Sequence, residues 1–179
     1  IITTSGGGAL ILKNPAFKKK AVFLSTQAKD DAPHYEHTYI GYNYRMSNIS
    51  AGIGRGQMEV LPQRIVQRRE NHLRYKRLFH QEPNSDYFSN HWLSVVMVSE
   101  DSRISADEIR KLAHEQNIET RPIWKPMHLQ PIFKDTLYFG GHYAEQCFKT
   151  GLCLPSGSNL TDQDLEKIEQ LFSKIFTLS

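Results

Sequence analysis

Two cysteines in 179 residues leave nothing on which to build a disulfide scaffold. Cys147 and Cys153 match no zinc-ligand spacing, and there is no second pair to complete a site. They read as partly buried thiols in a reducing compartment, which makes the chain a cytoplasmic one. Long apolar runs are missing too: none approaches the roughly 20 residues of a membrane span. The chain opens Ile1-Ile2-Thr3-Thr4, without an initiator Met or a signal-peptide pattern, and reads as if cut from something longer. Charge of one sign is scarce. Lys+Arg 22 against Asp+Glu 19 gives +3, too little to name nucleic acid or an anionic membrane as the partner. Internal repeats and low-complexity segments are absent. No Lys-Ser/Thr follows Gly6-Gly7-Gly8, so it is not a phosphate-binding P-loop. Gly52-Ile53-Gly54-Arg55-Gly56 has the wrong spacing for a dinucleotide fingerprint and sits inside a helical pattern. His34 and His37 have no third ligand at workable spacing, and no metal site is expected.

What is present is ordinary for a globular chain: 39% hydrophobic, 11% aromatic and 23% charged residues, which excludes wholesale disorder. Ala9-Leu10-Ile11-Leu12 suits a buried strand. Asn14 and Pro15 start a helix, and Ser47 caps another from Asn48 to about Val60. Pro62 starts or kinks a long helix to about Phe79. Its Leu61, Ile65, His72, Tyr75 and Phe79 share an arc of about 80°. The basic residues between Arg64 and Arg77 occupy most of the remainder, as a solvated face or else a subunit or anion contact. Further on, residues 92–98 and 118–121 read as strands, and Ser105-Ala106-Asp107-Glu108 is a capping box. Three prolines stiffen residues 122–142. Residues 143–149 read as helical, Leu152-Cys153-Leu154-Pro155 as a strand, and Thr161 caps a last amphipathic helix. After residue 80 the pattern is that of an α/β or α+β-like module, a small sheet covered by helices.

Two loops carry the chemistry. Gly41 to Asn48 sets an amide (Asn43), a guanidinium (Arg45) and two phenols ahead of a helix N-terminus, a setting for phosphate. The other, Arg121 to Pro131, presents Arg121, Trp124, Lys125 and His128 on a proline-stiffened backbone. Cations beside an indole and an imidazole suit an anionic, ring-bearing ligand. Each loop also has a plainer reading, a capped turn for the first and a stiff connection with a buried Trp for the second.

The wording of these loops is familiar. Ile1 to Leu10 resembles the segment that follows the cofactor-binding lysine in the pyridoxal-phosphate-dependent sugar-nucleotide aminotransferases, the DegT/StrS group with the aspartate-aminotransferase fold. Gly41 to Ile49 resembles that family's turn and helix start. Arg121 to Phe133, with Leu154-Pro155 and the Thr161 helix, resembles its C-terminal domain. The resemblance covers essentially the whole chain. It implies the C-terminal part of a fold-type I pyridoxal phosphate (PLP) enzyme. Residues 1–60 would end the PLP-binding large domain, 61–80 would form a connecting helix, and 81–179 the small domain. By the same resemblance Asn43 and Arg45 reach the cofactor phosphate of a neighbouring subunit in a homodimer. Arg121, Trp124, Lys125 and His128 would lie near the nucleotide-sugar. The wording looks most like a subgroup that aminates C4 of UDP-linked 4-keto-6-deoxy sugars from glutamate for bacterial glycans. No catalytic residue falls within the chain, because the resemblance puts the lysine just upstream of Ile1. Lys13, Lys18, Lys19 and Lys20 do not match its position. The chain alone is therefore expected to be inactive and not to retain PLP. Two other readings stand beside this one: a basic, helix-containing nucleic-acid-binding module, and a lysine-less regulatory relative.

Overall fold

The computed structural model describes residues 1–80 and 87–177. These form two compact units, Ile1–Pro62 and Gln63–Ser179. The small-domain boundary expected at residue 81 falls on residues outside the description.

In the first unit, helix α1 (Pro15–Ser25) begins where the sequence says it should. Asn14 Oδ1 accepts the N–H of Ala16 at 2.9 Å, and Pro15 occupies the first turn, where its missing N–H is harmless. The end of α1 is tied to a later loop by backbone bonds. Tyr42 N–H donates to Leu24 O (3.0 Å), Gln27 N–H to Tyr42 O (3.0 Å), and Tyr44 N–H to Ser25 O (2.9 Å). This close approach requires Gly41, since a Cβ there would collide with the backbone of Gln27 and Ala28. Asp30 closes the intervening loop by accepting from both the backbone and the hydroxyl of Thr38.

The run 9–12 does not form the buried strand its composition predicts. Leu10 is 73% and Ile11 92% exposed. A strand needs a ladder partner, and the only β pairing described in this unit is an isolated Thr26–Asn43 bridge. Residues 48–78 differ as well. The two helices expected on either side of Pro62 are one, α2 (Asn48–Leu78), with the proline inside it. Pro62 removes a single N–H bond at a cost of about 3 kcal/mol, and a helix of this length absorbs it.

The second unit is built on a three-stranded antiparallel sheet in the order β1-β3-β2, from β1 (Ser94–Met97), β3 (Gly151–Leu154) and β2 (Arg121–Pro122). Ser94 pairs with Leu154 and Met97 with Gly151, while Arg121 pairs with Cys153. The central strand β3 is buried throughout, whereas β1 alternates with the two-residue period of a half-covered strand. Helix α3 (Ala106–Glu115) carries the predicted capping box: Ser105 Oγ accepts from Glu108 N, and the Glu108 carboxylate accepts from Ser105 N. Helix α4 (Tyr143–Thr150) leads into β3, and α5 (Asp162–Thr177) starts on the same reciprocal device with Thr161 and Asp164.

Ile109 and Ala113 of α3 pack with Leu165, Ile168 and Phe172 of α5 over Val96, Leu152 and Leu154 of the sheet. Burying a side chain such as Phe172 or Ile109 contributes roughly 1.5–3 kcal/mol. The C-terminal half of α2 joins this core through Tyr75, whose hydroxyl donates to Pro155 O at 2.7 Å. Asn71 Nδ2 donates to Gly157 O one turn earlier. His72, Tyr75 and Phe79 of the predicted apolar stripe thus face inward. Three arginines of α2 are not part of a solvated face, whereas Arg77 is exposed. Arg74 makes a two-pronged pair with Glu169 and also reaches Asp162. Arg68 and Arg69 donate to the carbonyls of Trp92 and Ser89.

Candidate functional site

The first locus lies within unit 1. The 42–46 turn, pinned to the end of α1, opens a cleft of about 950 Å³ facing Gly6–Gly8. Asn43 and Arg45 both line it, as does Lys18 from α1. Neither Arg45 nor Lys18 makes an ion pair among the described residues. Ser47 and Ser50 stand at the rim, where Ser47 Oγ accepts Ser50 N–H (3.1 Å) at the start of α2. Leu10, Leu12 and Val22 supply an apolar wall. Two free cations, an amide and a helix N-terminus beside apolar surface fit the chemistry of a phosphate-bearing ring compound. Lys18 is the member that sequence reasoning set aside. A polar position on α1 does not reveal that the 42–46 turn folds back toward it.

The second locus lies within unit 2, on the segment that begins at β2. Arg121 extends from β2, and its Nε and Nη2 both donate to Glu119 Oε1 (2.8 and 2.6 Å). Lys125 is exposed. Trp124 is not the buried indole of the plainer reading: it is exposed and stacks on Trp92 with ring centroids 5.6 Å apart. The next turn, Met127–Leu129, is a short 3-10 helix. It holds His128, whose side chain is 15% exposed and whose Nε2 lies 3.0 Å from Glu145 Oε1. Tyr138 stacks on the imidazole at 3.7 Å. His142 Nδ1 also sits 3.0 Å from Glu145 Oε1, and the bonds from His142 and His128 hold that carboxyl below the usual range. Of the four predicted residues, His128 alone is enclosed by a polar network. Trp92, Tyr138 and Glu145 were missed. Trp92 read as a strand start, and nothing in a sequence links Glu145 to a histidine 17 positions earlier.

A third cluster had no sequence signal beyond the apolar stripe. His72 of α2 stacks on His91 at 3.6 Å, nearly parallel, and its Nδ1 is 3.1 Å from Ser94 Oγ. Burial, then the nearby His91, Lys76 and Arg69, push His72 down to about 4. Burial also lowers His91. No group of three His, Cys, Asp or Glu side chains among the described residues is arranged to hold a metal ion. No described helix is long and apolar enough to cross a membrane.

The fold is that of the aminotransferases. The chain superimposes on Helicobacter pylori PseC, described as an aminotransferase involved in the biosynthesis of pseudoaminic acid, with a TM-score of 0.84 at 23% identity. That match covers 99% of this chain and 51% of PseC. The sequence model of the DegT/DnrJ/EryC1/StrS aminotransferase family matches residues 1–173, and the chain belongs to this family. Pyridoxal phosphate is the family's cofactor. Among curated relatives, the chain is 41% identical to the Bacillus subtilis (strain 168) protein named "Putative pyridoxal phosphate-dependent aminotransferase EpsN", over 98% of its own length and 48% of that protein. It is 29% identical to the GDP-perosamine synthase of Caulobacter vibrioides, over 94% of its own length and 47% of the relative. It thus spans about half the length of the curated relatives it matches.

Proposed function

We propose that the chain is the C-terminal half of an aminotransferase. The whole enzyme would transfer an amino group from glutamate to C4 of a UDP-linked 4-keto-6-deoxy sugar, in the cytoplasm, for bacterial surface glycans. The observation that carries this reading is the cleft in which Asn43 and Arg45 converge, in a chain whose family match runs nearly end to end. Residues 1–60 would close the PLP-binding large domain, 61–80 connect, and 81–179 form the small domain. The exposure of Leu10 and Ile11 supports the first part, since such a run is at home only beside further strands.

The residues present fit the cofactor's phosphate. Asn43 and Arg45 would hold it, from a neighbouring subunit of a homodimer, by charge-assisted hydrogen bonds. Bound pyridoxal phosphate supplies the electron sink that lets an amino group leave one carbon and join another. The lysine that moves protons there belongs upstream of Ile1, so this chain alone is expected to be inactive. Trp124 would offer a ring face to the base or sugar, and Arg121 and Lys125 positive charge to the diphosphate. His128 would meet a polar group of the sugar. The nucleic-acid reading loses its footing, because Arg68, Arg69 and Arg74 of the basic helix are engaged within unit 2.

The test joins the chain to its upstream reading frame. The longer protein is expected to show cofactor absorbance that borohydride abolishes, and the 179-residue chain none. Absorbance from the 179-residue chain alone would overturn the assignment of the lysine. UDP-, dTDP- and GDP-linked 4-keto sugars are then assayed with glutamate. Failure of all three overturns the substrate class, and turnover of a GDP or dTDP sugar alone overturns the UDP assignment.

A further inference from the structure

We propose that Glu145 is a positioning residue: it locks His128 in the Nε2–H tautomer and so presents Nδ1 as a hydrogen-bond acceptor to the nucleotide-sugar. This rests on the reading of the Arg121–His128 loop given above. A neutral imidazole has one donor and one acceptor nitrogen, and an ionised carboxylate only accepts. With Nε2 3.0 Å from Glu145 Oε1, the proton belongs on Nε2. Nδ1 has no hydrogen-bond partner among the described residues, which leaves a lone pair on a largely buried ring. Rotation of that ring is restricted by Tyr138, stacked at 3.7 Å and 26°. Tyr138 is itself fixed, because its hydroxyl donates to Gly141 O at 2.6 Å. Gly140, at φ +135°, makes the turn that allows this.

The carboxylate serves two imidazoles unequally. His142 is 87% exposed, and so water-accessible a pair contributes little. His128 is 15% exposed, so the bond to Glu145 is the one that sets its geometry. Nδ1 is not sealed inside the protein, so a donor arriving from solution can reach it. A hydroxyl or acetamido N–H of a nucleotide-sugar is a donor of the right kind for it.

The experiment uses the 179-residue chain with 15N-labelled histidine, at a pH where imidazoles are neutral. In the wild type, His128 should show a single form with a pyrrole-type Nε2 and a pyridine-type Nδ1. Glu145→Ala should populate both tautomers, Glu145→Gln should restore most of the single form through its amide oxygen, and His142→Ala should leave His128 as in the wild type. A protonated Nδ1 in the wild type, or an unchanged tautomer in Glu145→Ala, overturns the proposal. UDP-N-acetylglucosamine, a stable UDP-sugar, is then titrated into the labelled longer protein that includes the upstream reading frame. It should shift the His128 resonances, with affinity about ten-fold weaker in Glu145→Ala and within about three-fold of wild type in Glu145→Gln. If it leaves His128 untouched in the wild type, the substrate-facing reading of the loop is overturned. The tautomer lock is decided by the nitrogen spectra alone, so the two failures are distinguishable.

Discussion

Mild acid should destabilise unit 2 through His72. In the folded chain this imidazole is pushed down to about 4, first by burial and then by His91, Lys76 and Arg69. Unfolded, it returns to about 6.5. As pH falls, the unfolded chain takes up the proton first. The stability held by neutral His72 is complete above about 6.5, declines between about 6.5 and 4, and levels off below. The full gap corresponds to about 3 kcal/mol at roughly 1.4 kcal/mol per pH unit. His72 is only partly buried, and solvent screening reduces this to about 1–2 kcal/mol. Both tryptophans, Trp92 and Trp124, lie in unit 2, so their fluorescence reports its unfolding in urea. The comparison is between wild type and His72→Gln, at about pH 7.5 and 4.5. Glutamine can still hydrogen-bond Ser94 but does not titrate. Carboxylates titrate in both proteins and cancel. The wild type should lose about 1–2 kcal/mol more than the variant over this interval. Equal losses would refute the argument that a neutral, sheltered imidazole is part of the fold.

Other expectations follow from packing. Phe172→Ala, at a side chain with no exposure between α5 and the sheet, should lose about 3–5 kcal/mol of unit 2 stability in the same urea assay. Thr120→Val should gain about 1 kcal/mol, because the buried Thr120 hydroxyl has no partner among the described residues and valine removes it at nearly constant shape. Gly41→Ala should separate the 26–28 and 41–44 segments, seen as faster proteolysis between residues 26 and 46 while tryptophan-detected unfolding is unchanged.

The parts legible in the sequence were those whose cause is local. Asn14 with Pro15, the Ser105–Glu108 box and the Thr161 start announce helices within four residues of themselves, and all three helices begin there. The inward part of the α2 stripe was legible for the same reason, since a 3.6-residue period survives whatever packs on it. The Leu10–Ile11 run could not be read this way. Its composition asks for a strand, but strand pairing is a property of the neighbouring chain, and unit 1 supplies no ladder for it.

Charge was the least legible quantity. Arg64 to Arg77 looked like a face for water or an anion, yet Arg74 is held by Glu169 of α5, 95 positions away. The guanidiniums of Arg68 and Arg69 close on backbone carbonyls of the 89–92 segment. Conversely, Lys18 sits in unremarkable sequence and Arg45 in a loop with no other cation, and the fold leaves both without an ion-pair partner among the described residues, in one cleft with Asn43. A cation's availability to a ligand is therefore decided by what the fold fails to pair with it, and clustering along the chain is a poor guide. The same reasoning separates the two ends of the second loop. Arg121 is matched by Glu119 two residues earlier, whereas His128 is matched on one nitrogen and open on the other. By that criterion, substitution of His128 should impair nucleotide-sugar binding more than substitution of Arg121, a ranking that affinity measurements on His128→Ala and Arg121→Ala would decide.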